Sequence, residues 1–527
     1  MGGVRDGGRR KSGERGRARC KMHGTRVNPR PAIAQSGALH ARVPRAIRGC
    51  PDRSTVPPSD DPAPLRPARP ASAERGVVVL LGLAHFLLLG GYYAIRAVRD
   101  AVGTNVYANS DTPIELAGRA FTIGIGDLWL AVFVVNVLLA PLYAAYARAR
   151  NRRSLLVGVL AFFAANAAAF GVLFETTDGD ARLWIDRAFY VWTSVFVLFA
   201  LSSFWSFASD VCSLDRAKRT FGIVAACGTL GQIAGSTATR ELARSSADLS
   251  WIVGGFVLLV LGAAATLWVL DRRTRERVGE RRAGAVEAEN ENDRIGGSIV
   301  SGFTAVLRSP YLFAIAAYIL LMTLASTAFY YLQQDVAHTA FDTRDDRIAF
   351  FAGVDAWTGW VTLGLQAGVI GFVMRRVGMG VALVALPVAT VAGLAVAWSV
   401  LSGVDFTDAD AVGAVARANL GLIVGILVAQ RMVRYAFAKP SREALFTLVS
   451  REERFKSKNF LDTVVYRGGD VVWAQAFEGL IGRGFAFASV LAFALVPVAI
   501  WGAVAAGLGA SAKRRDEDAK APDRPAA

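Results

Sequence analysis

The feature that most limits what this chain can fold into is a series of about twelve apolar runs, each long enough to cross the roughly 30 Å of a bilayer's hydrocarbon as a helix. They cover residues 76–98, 120–146, 155–174, 185–208, 221–239, 251–270, 311–332, 349–374, 381–401, 413–437, 460–480 and 485–508. Backbone in lipid has no water to bond to, so segments like these are helical or they do not cross at all. Composition agrees: 53% of the residues are hydrophobic and the mean hydropathy is +0.37. The expected fold is an all-α integral membrane protein of about twelve helices in two six-helix halves.

The net charge of +16 does not require nucleic acid as a partner, because much of the basic excess lies in the N-terminal tail and in alternate short loops. Arg148, Arg150, Arg152 and Arg153, then Arg216, Lys218 and Arg219, then Arg272 to Arg282, Arg375 and Arg376, Lys439 to Lys458, and Lys513 to Arg515 all fall on one side. The intervening loops are acidic, around Asp111, Glu175 to Asp180, Asp335 to Asp346 and Asp405 to Asp410. The positive-inside bias then puts both termini and the central loop in the cytoplasm of a bacterial-type inner membrane. Residues 1–75, rich in Arg, Gly and Pro, read as a disordered basic tail, 76–270 as the N-terminal half and 271–310 as a cytoplasmic central loop. Residues 311–508 read as the C-terminal half and 509–527 as a cytoplasmic tail. Parallel six-helix halves with a site between them describe the major-facilitator architecture.

Four cysteines and four scattered histidines show no ligand spacing. There is likewise no nucleophile motif or Walker loop, so neither an enzyme activity nor a cofactor is called for. The charged residues inside apolar segments are the candidates, because charge there is expensive and marks pathways or sites. In YYAIRAVRD, Arg96, Arg99 and Asp100 share a helical face; Arg96 can pair with Asp100 and leave Arg99 for an anionic ligand. The stretch from Arg434 to Asp470 carries more charge than any other part of the hydrophobic region. Within it Asp462, Tyr466 and Asp470 recur every four residues, Arg467 can neutralise Asp470, and Asp470 is expected near the midplane. Asp127 and Asp355 are expected near the acidic-loop ends of their segments, bonded or hydrated.

Several of these stretches resemble the bacterial and plastid ATP/ADP translocases, a nucleotide antiporter family with a major-facilitator-like fold. They are IRAVRD from Ile95, FWSFASD with DRAKRTFG from Phe204, and PSRE followed by RFKSKNFLD from Pro440. The resemblance implies that Arg96, Arg99 and Asp100 correspond to the family's first-helix charges. It also implies that Lys456, Lys458 and Asp462 correspond to its basic loop and following aspartate. The sequence departs from the pattern at Asp470, which stands where the family carries a cation, and around Thr193, where it carries a glutamate.

A secondary transporter working by alternating access is therefore expected, with an anionic small molecule, nucleotide included, as substrate and lipid as surroundings. Arg96, Arg99, Asp100, Arg434, Arg467 and Asp470 are expected to contact substrate, and Lys456, Lys458 and Asp462 to form a cytoplasmic gate. The alternatives are a proton-coupled transporter of an uncharged or cationic solute using Asp127, Asp355 or Asp470, a non-transporting scaffold or sensor, and a multi-span transferase.

Overall fold

Each apolar run becomes a helix, because only helix or closed barrel satisfies a backbone that lipid surrounds. The computed structural model describes residues 71–520 apart from 111–112, 117–118, 150–151, 213, 283–298, 367–368, 403–408, 451–452, 454–456 and 459. The N-terminal tail up to residue 70, and Lys456, lie outside the described residues. The first half consists of α1 (Ala71–Ala108), α2 (Ile125–Ala149), α3 (Arg152–Thr176), α4 (Gly179–Val211), α5 (Leu214–Arg244) and α6 (Leu249–Arg282). A short antiparallel hairpin, β1 (Ile114–Leu116) with β2 (Arg119–Phe121), joins α1 to α2 and pairs Ile114 with Phe121.

The second half begins with the short helix α7 (Ile299–Arg308). It continues through α8 (Pro310–Ala340), α9 (Arg344–Gln366), α10 (Val369–Leu401), α11 (Ala409–Ala418), α12 (Leu420–Val433), a π turn (Arg434–Ala438) and α13 (Lys439–Leu445). A second π turn (Leu461–Val465) runs into α14 (Tyr466–Ile481), and α15 (Phe487–Lys520) closes the chain.

Eleven helices among the described residues are long and apolar enough to cross a membrane. The remaining expected segment is helical from Leu461 to Ile481. It falls short of that measure because the segment carries four charges, Asp462, Arg467, Asp470 and Glu478. The expected run 349–374 is divided: α9 ends at Gln366, and 369–374 opens α10, which breaks at Gly378 (φ +78°). Only a residue without a Cβ takes that backbone cheaply. At the C-terminus, α15 carries helix through Lys520, well into the stretch expected as a tail.

Packing is closest where glycine replaces side-chain bulk. A Cβ on Gly231 of α5 would lie 2.1 Å from the Phe86 carbonyl oxygen, and one on Gly235 would lie 2.1 Å from that of Gly90. The α1 and α5 backbones are thus in contact, as small-residue interfaces in lipid allow. Held against α5 there, α1 presents Tyr92, Arg96 and Arg99 to the space between the halves.

Candidate functional site

That space is a cavity of about 660 Å³ lined by α1, α2, α4 and α5 from one half and by α8, α9, α12, α13, the first π turn and α14 from the other. A narrower recess of about 190 Å³ shares Tyr92, Arg99, Trp129, Tyr330, Arg467 and Asp470 with it and adds Tyr190 and Ser194. Six cations line the cavity, Arg96, Arg99, Arg431, Arg434, Lys439 and Arg467, against one carboxylate among the described lining residues, Asp470. Aromatic rings stand between them, among them Tyr92, Tyr93, Tyr435 and Tyr466. Positions 431, 434, 435 and 439 recur at three- and four-residue steps, which puts them on one face of the segment that runs from α12 through the π turn into α13.

Asp355 holds the centre. Its carboxylate oxygen Oδ1 accepts from Arg96 Nη1 at 2.8 Å and from Arg431 Nη1 at 2.6 Å. Its backbone carbonyl accepts from Gln232 Nε2 at 2.9 Å, and Arg431 Nη2 donates to Gln333 Oε1 at 2.7 Å. Arg96 and Gln232 belong to the first half and the others to the second, so this network ties the halves together. Asp355 is 1% exposed and eleven residues into the 23-residue α9. It therefore lies mid-helix, and the expectation of a site near a helix end is corrected: the end of α9 begins earlier, at Arg344.

Beside it, Arg99 donates to Asp100 Oδ1 from Nε at 2.9 Å and also from Nη2. Arg96 Nε lies 3.6 Å from Asp100 Oδ2, so the expected Arg96–Asp100 pair is present, although the shorter bond of Arg96 is to Asp355. Arg99 is not left without a partner, since Asp100 takes it, and its guanidinium also sits 5.2 Å from the centre of the Tyr190 ring. A guanidinium over an aromatic face gains from the ring quadrupole.

On α14, Arg467 Nη1 is 3.9 Å from Asp470 Oδ2, and both face the cavity together with Tyr466. Asp462 does not join them. The π turn at Leu461–Val465 inserts an extra residue into the helical repeat, and Asp462 lies 3.3 Å from Arg442 instead. Arg442 also bonds Glu443 at 2.9 Å, and Lys458 bonds the same Glu443. Lys458 and Asp462 are thus brought together with each other, but inside the second half.

The end of the cavity away from the start of α1 is closed by bonds between the halves. Thr104 Oγ1 donates to Gln334 Oε1 at 2.6 Å, Tyr107 to Asp335 at 3.0 Å, and the Tyr190 and Tyr330 hydroxyls meet at 2.7 Å. Glu478 accepts across the halves from the Gly126 backbone N–H at 2.8 Å and, within its own half, from Tyr331 at 3.1 Å. Gln475 donates to Asp127 at 3.3 Å. The Glu478 carboxylate therefore docks on the first turn of α2, where N–H groups await acceptors. Sequence reasoning singled out neither Arg431 nor Glu478. Each was visible as a charge in an apolar run, and nothing local distinguishes such a charge from an interfacial anchor.

Residues 181–508 match the family model described as TLC ATP/ADP transporter. The "ADP,ATP carrier protein 1" of Chlamydia trachomatis is 23% identical over 446 residues, covering 75% of this chain and 83% of that protein. The protein of the same name from Chlamydia muridarum is 23% identical over 368 residues, covering 64% and 68%. Among solved structures, a bacterial homologue of the iron transporter ferroportin in its inward-facing state aligns with a TM-score of 0.56 at 12% identity, covering 82% of this chain and 98% of that one. A bacterial homologue of the human lysosomal transporter Spinster aligns with a TM-score of 0.50 at 15% identity, covering 85% and 98%. These likenesses establish the major-facilitator-like fold.

Proposed function

The chain belongs to the TLC ATP/ADP transporter family, and from that premise we propose that it exchanges nucleotides of the ATP/ADP type across a membrane by alternating access. The observation that carries the reading is the central cavity, with six cations facing one lining carboxylate and aromatic rings between them. A polyphosphate needs concentrated positive charge, and arginine forks match phosphate oxygens two at a time. Rings such as Tyr92, Tyr435 and Tyr466 offer faces on which a planar base stacks. Arg96, Arg99, Arg434 and Arg467 then contact substrate, with Arg431 and Lys439 added to them. Asp100 and Asp470 orient their neighbouring arginines.

The state of the carrier follows from where the halves touch. Apart from the central Asp355 network, the cross-half hydrogen bonds described above lie at the end away from the start of α1. The cavity is then reached from the end that carries both termini, which the distribution of basic loops assigns to the cytoplasm of a bacterial-type plasma membrane. Lys458 and Asp462, linked through Arg442 and Glu443, would then supply the second half's side of a gate.

The test is uptake of labelled ATP into proteoliposomes loaded with ADP, with empty vesicles as the comparison. Uptake that requires internal nucleotide supports exchange. Uptake driven by an imposed proton gradient into empty vesicles, or no nucleotide uptake at all, overturns it.

A further inference from the structure

Away from the central cavity, the first half carries a second depression, a slot of about 450 Å³ that shares no lining residue with it. Leu142 and Tyr143 of α2 form one wall, Gly158 and Phe162 of α3 the other, and the buried Phe199 of α4 the floor. Both walls pack on α4 yet scarcely touch each other. Pro141 lies inside α2 at this level, where its ring removes a helical hydrogen bond and crowds the carbonyl four residues back, which bends a helix. The lining is apolar, and its one hydroxyl, that of Tyr143, meets Ser203 Oγ at 2.6 Å. Leu142 and Phe162 stand exposed at the mouth, so the slot is filled from the hydrocarbon around α2 and α3.

The slot runs up to the connection between those two helices. Tyr143 precedes Arg148, and Gly158 follows Arg153, by about five residues, which is roughly 7.5 Å along each helix. Arg148, Arg150, Arg152 and Arg153 fall in this connection and the helix ends beside it, and the sequence has no Asp or Glu between Asp127 and Glu175. The adjoining end of α4 brings one carboxylate, Asp210, so a basic surplus remains. Membrane orientation alone accounts for basic residues in such a loop, but it does not call for an apolar slot beneath them.

We propose that the slot and its basic connection form a site for one anionic phospholipid, of the phosphatidylglycerol type, from the leaflet at that end. One acyl chain lies between α2 and α3, and the phosphate meets the arginines at the two helix ends. Basic pockets between membrane helices recognise headgroups in this way, and a guanidinium fork matches two phosphate oxygens. The ammonium of a zwitterionic headgroup would instead be brought towards like charge. The lipid supplies the contact that α2 and α3 lack. Nothing in the proposal depends on which substrate the central cavity takes.

The test uses the full chain in detergent micelles and three phospholipid probes with identical chains and a photoactivatable diazirine in mid-chain. Their headgroups are phosphatidylglycerol, phosphatidylethanolamine and phosphatidylcholine. The first should label the α2 and α3 peptides that hold Leu142 and Phe162 about fivefold or more above the other two, the effect of a single basic residue near an anionic lipid surface. Unlabelled phosphatidylglycerol should displace it, and unlabelled phosphatidylcholine should not. Replacing Arg152 and Arg153 together by Gln should abolish the preference. Leu142→Trp, which fills the slot from an exposed position, should remove the labelling, whereas Leu130→Trp, exposed on the same helix but outside the slot, should not.

Equal labelling by all three probes would mean ordinary surrounding lipid only and would overturn the proposal. So would labelling that maps outside α2 and α3, or a preference that survives the loss of both arginines. Should the double variant fail to insert, the competition on the unaltered protein and the Leu142→Trp result decide the matter. A chain that takes up no nucleotide but passes these tests keeps the lipid site and loses only the exchange reading.

Discussion

A carboxylate that is 1% exposed and shares one oxygen between two arginines is stable only as a unit. Removing one member leaves the others buried and undersatisfied. Arg431 is the member whose loss is most informative, since it also bonds Gln333 and faces the cavity. Replacing Arg431 with Ala should weaken nucleotide binding tenfold or more, in line with the ~1.5–3 kcal/mol of a hydrogen bond to a charged group. Thermal stabilisation by ATP reads this directly, because a ligand that binds only the folded state raises its melting temperature with concentration. An Arg431→Lys change should recover only part of the loss, since an ammonium cannot bond Asp355 and Gln333 in the same planar fork. Full recovery would mean that charge alone matters there.

Helices α1 and α5 show how an element can be fixed by what its residues lack. With 2.1 Å between a hypothetical Cβ on Gly231 or Gly235 and a carbonyl oxygen of α1, any side chain must push the backbones apart. Gly231→Leu should therefore cost at least the ~1–3 kcal/mol of an overpacked core. It should also tilt α1 enough to displace Arg96 from Asp355, lowering both the melting temperature and transport. Gly222 of the same helix has nothing within 4 Å of a Cβ, so Gly222→Ala should leave both unchanged. Equal effects at the two positions would remove the argument from close approach. The π turn at Leu461–Val465 decides a similar matter for α14: Tyr466 and Asp470 reach the cavity while Asp462 turns to Arg442. A strict four-residue count along the sequence could not separate them.

For the whole molecule, closure at one end is the counterpart of access at the other. Glu478 on the first turn of α2, with Tyr331 sharing its oxygen, is the only charged group in the set of cross-half bonds described there that docks on a helix terminus. A carboxylate at a helix N-terminus gains ~0.3–1 kcal/mol from the dipole when exposed, and more when partly buried. Glu478→Ala should loosen that end and raise the population open on it. A cysteine placed at Ser194, in the recess beneath the Tyr190–Tyr330 bond, should then react faster with a membrane-impermeant maleimide added on the side opposite the termini. Labelling at the parent rate would mean that the other bonds suffice to hold the end shut.

The sequence by itself determined the membrane-spanning helical fold, the number of segments to within one, the six-plus-six order and the family, because hydrophobic length and short motifs are local quantities. It also picked out Arg96, Arg99, Asp100, Arg434, Arg467 and Asp470, since charge in an apolar run stands out whatever its surroundings. Tertiary structure alone decided the partners. Asp355 meets Arg96 across 259 residues of chain and Arg431 across 76, and Glu478 meets Gly126 across 352. Contacts at such separations are set by how helices pack, through glycine contacts and π turns that shift a face by a fraction of a turn. Hydropathy and spacing carry none of that information.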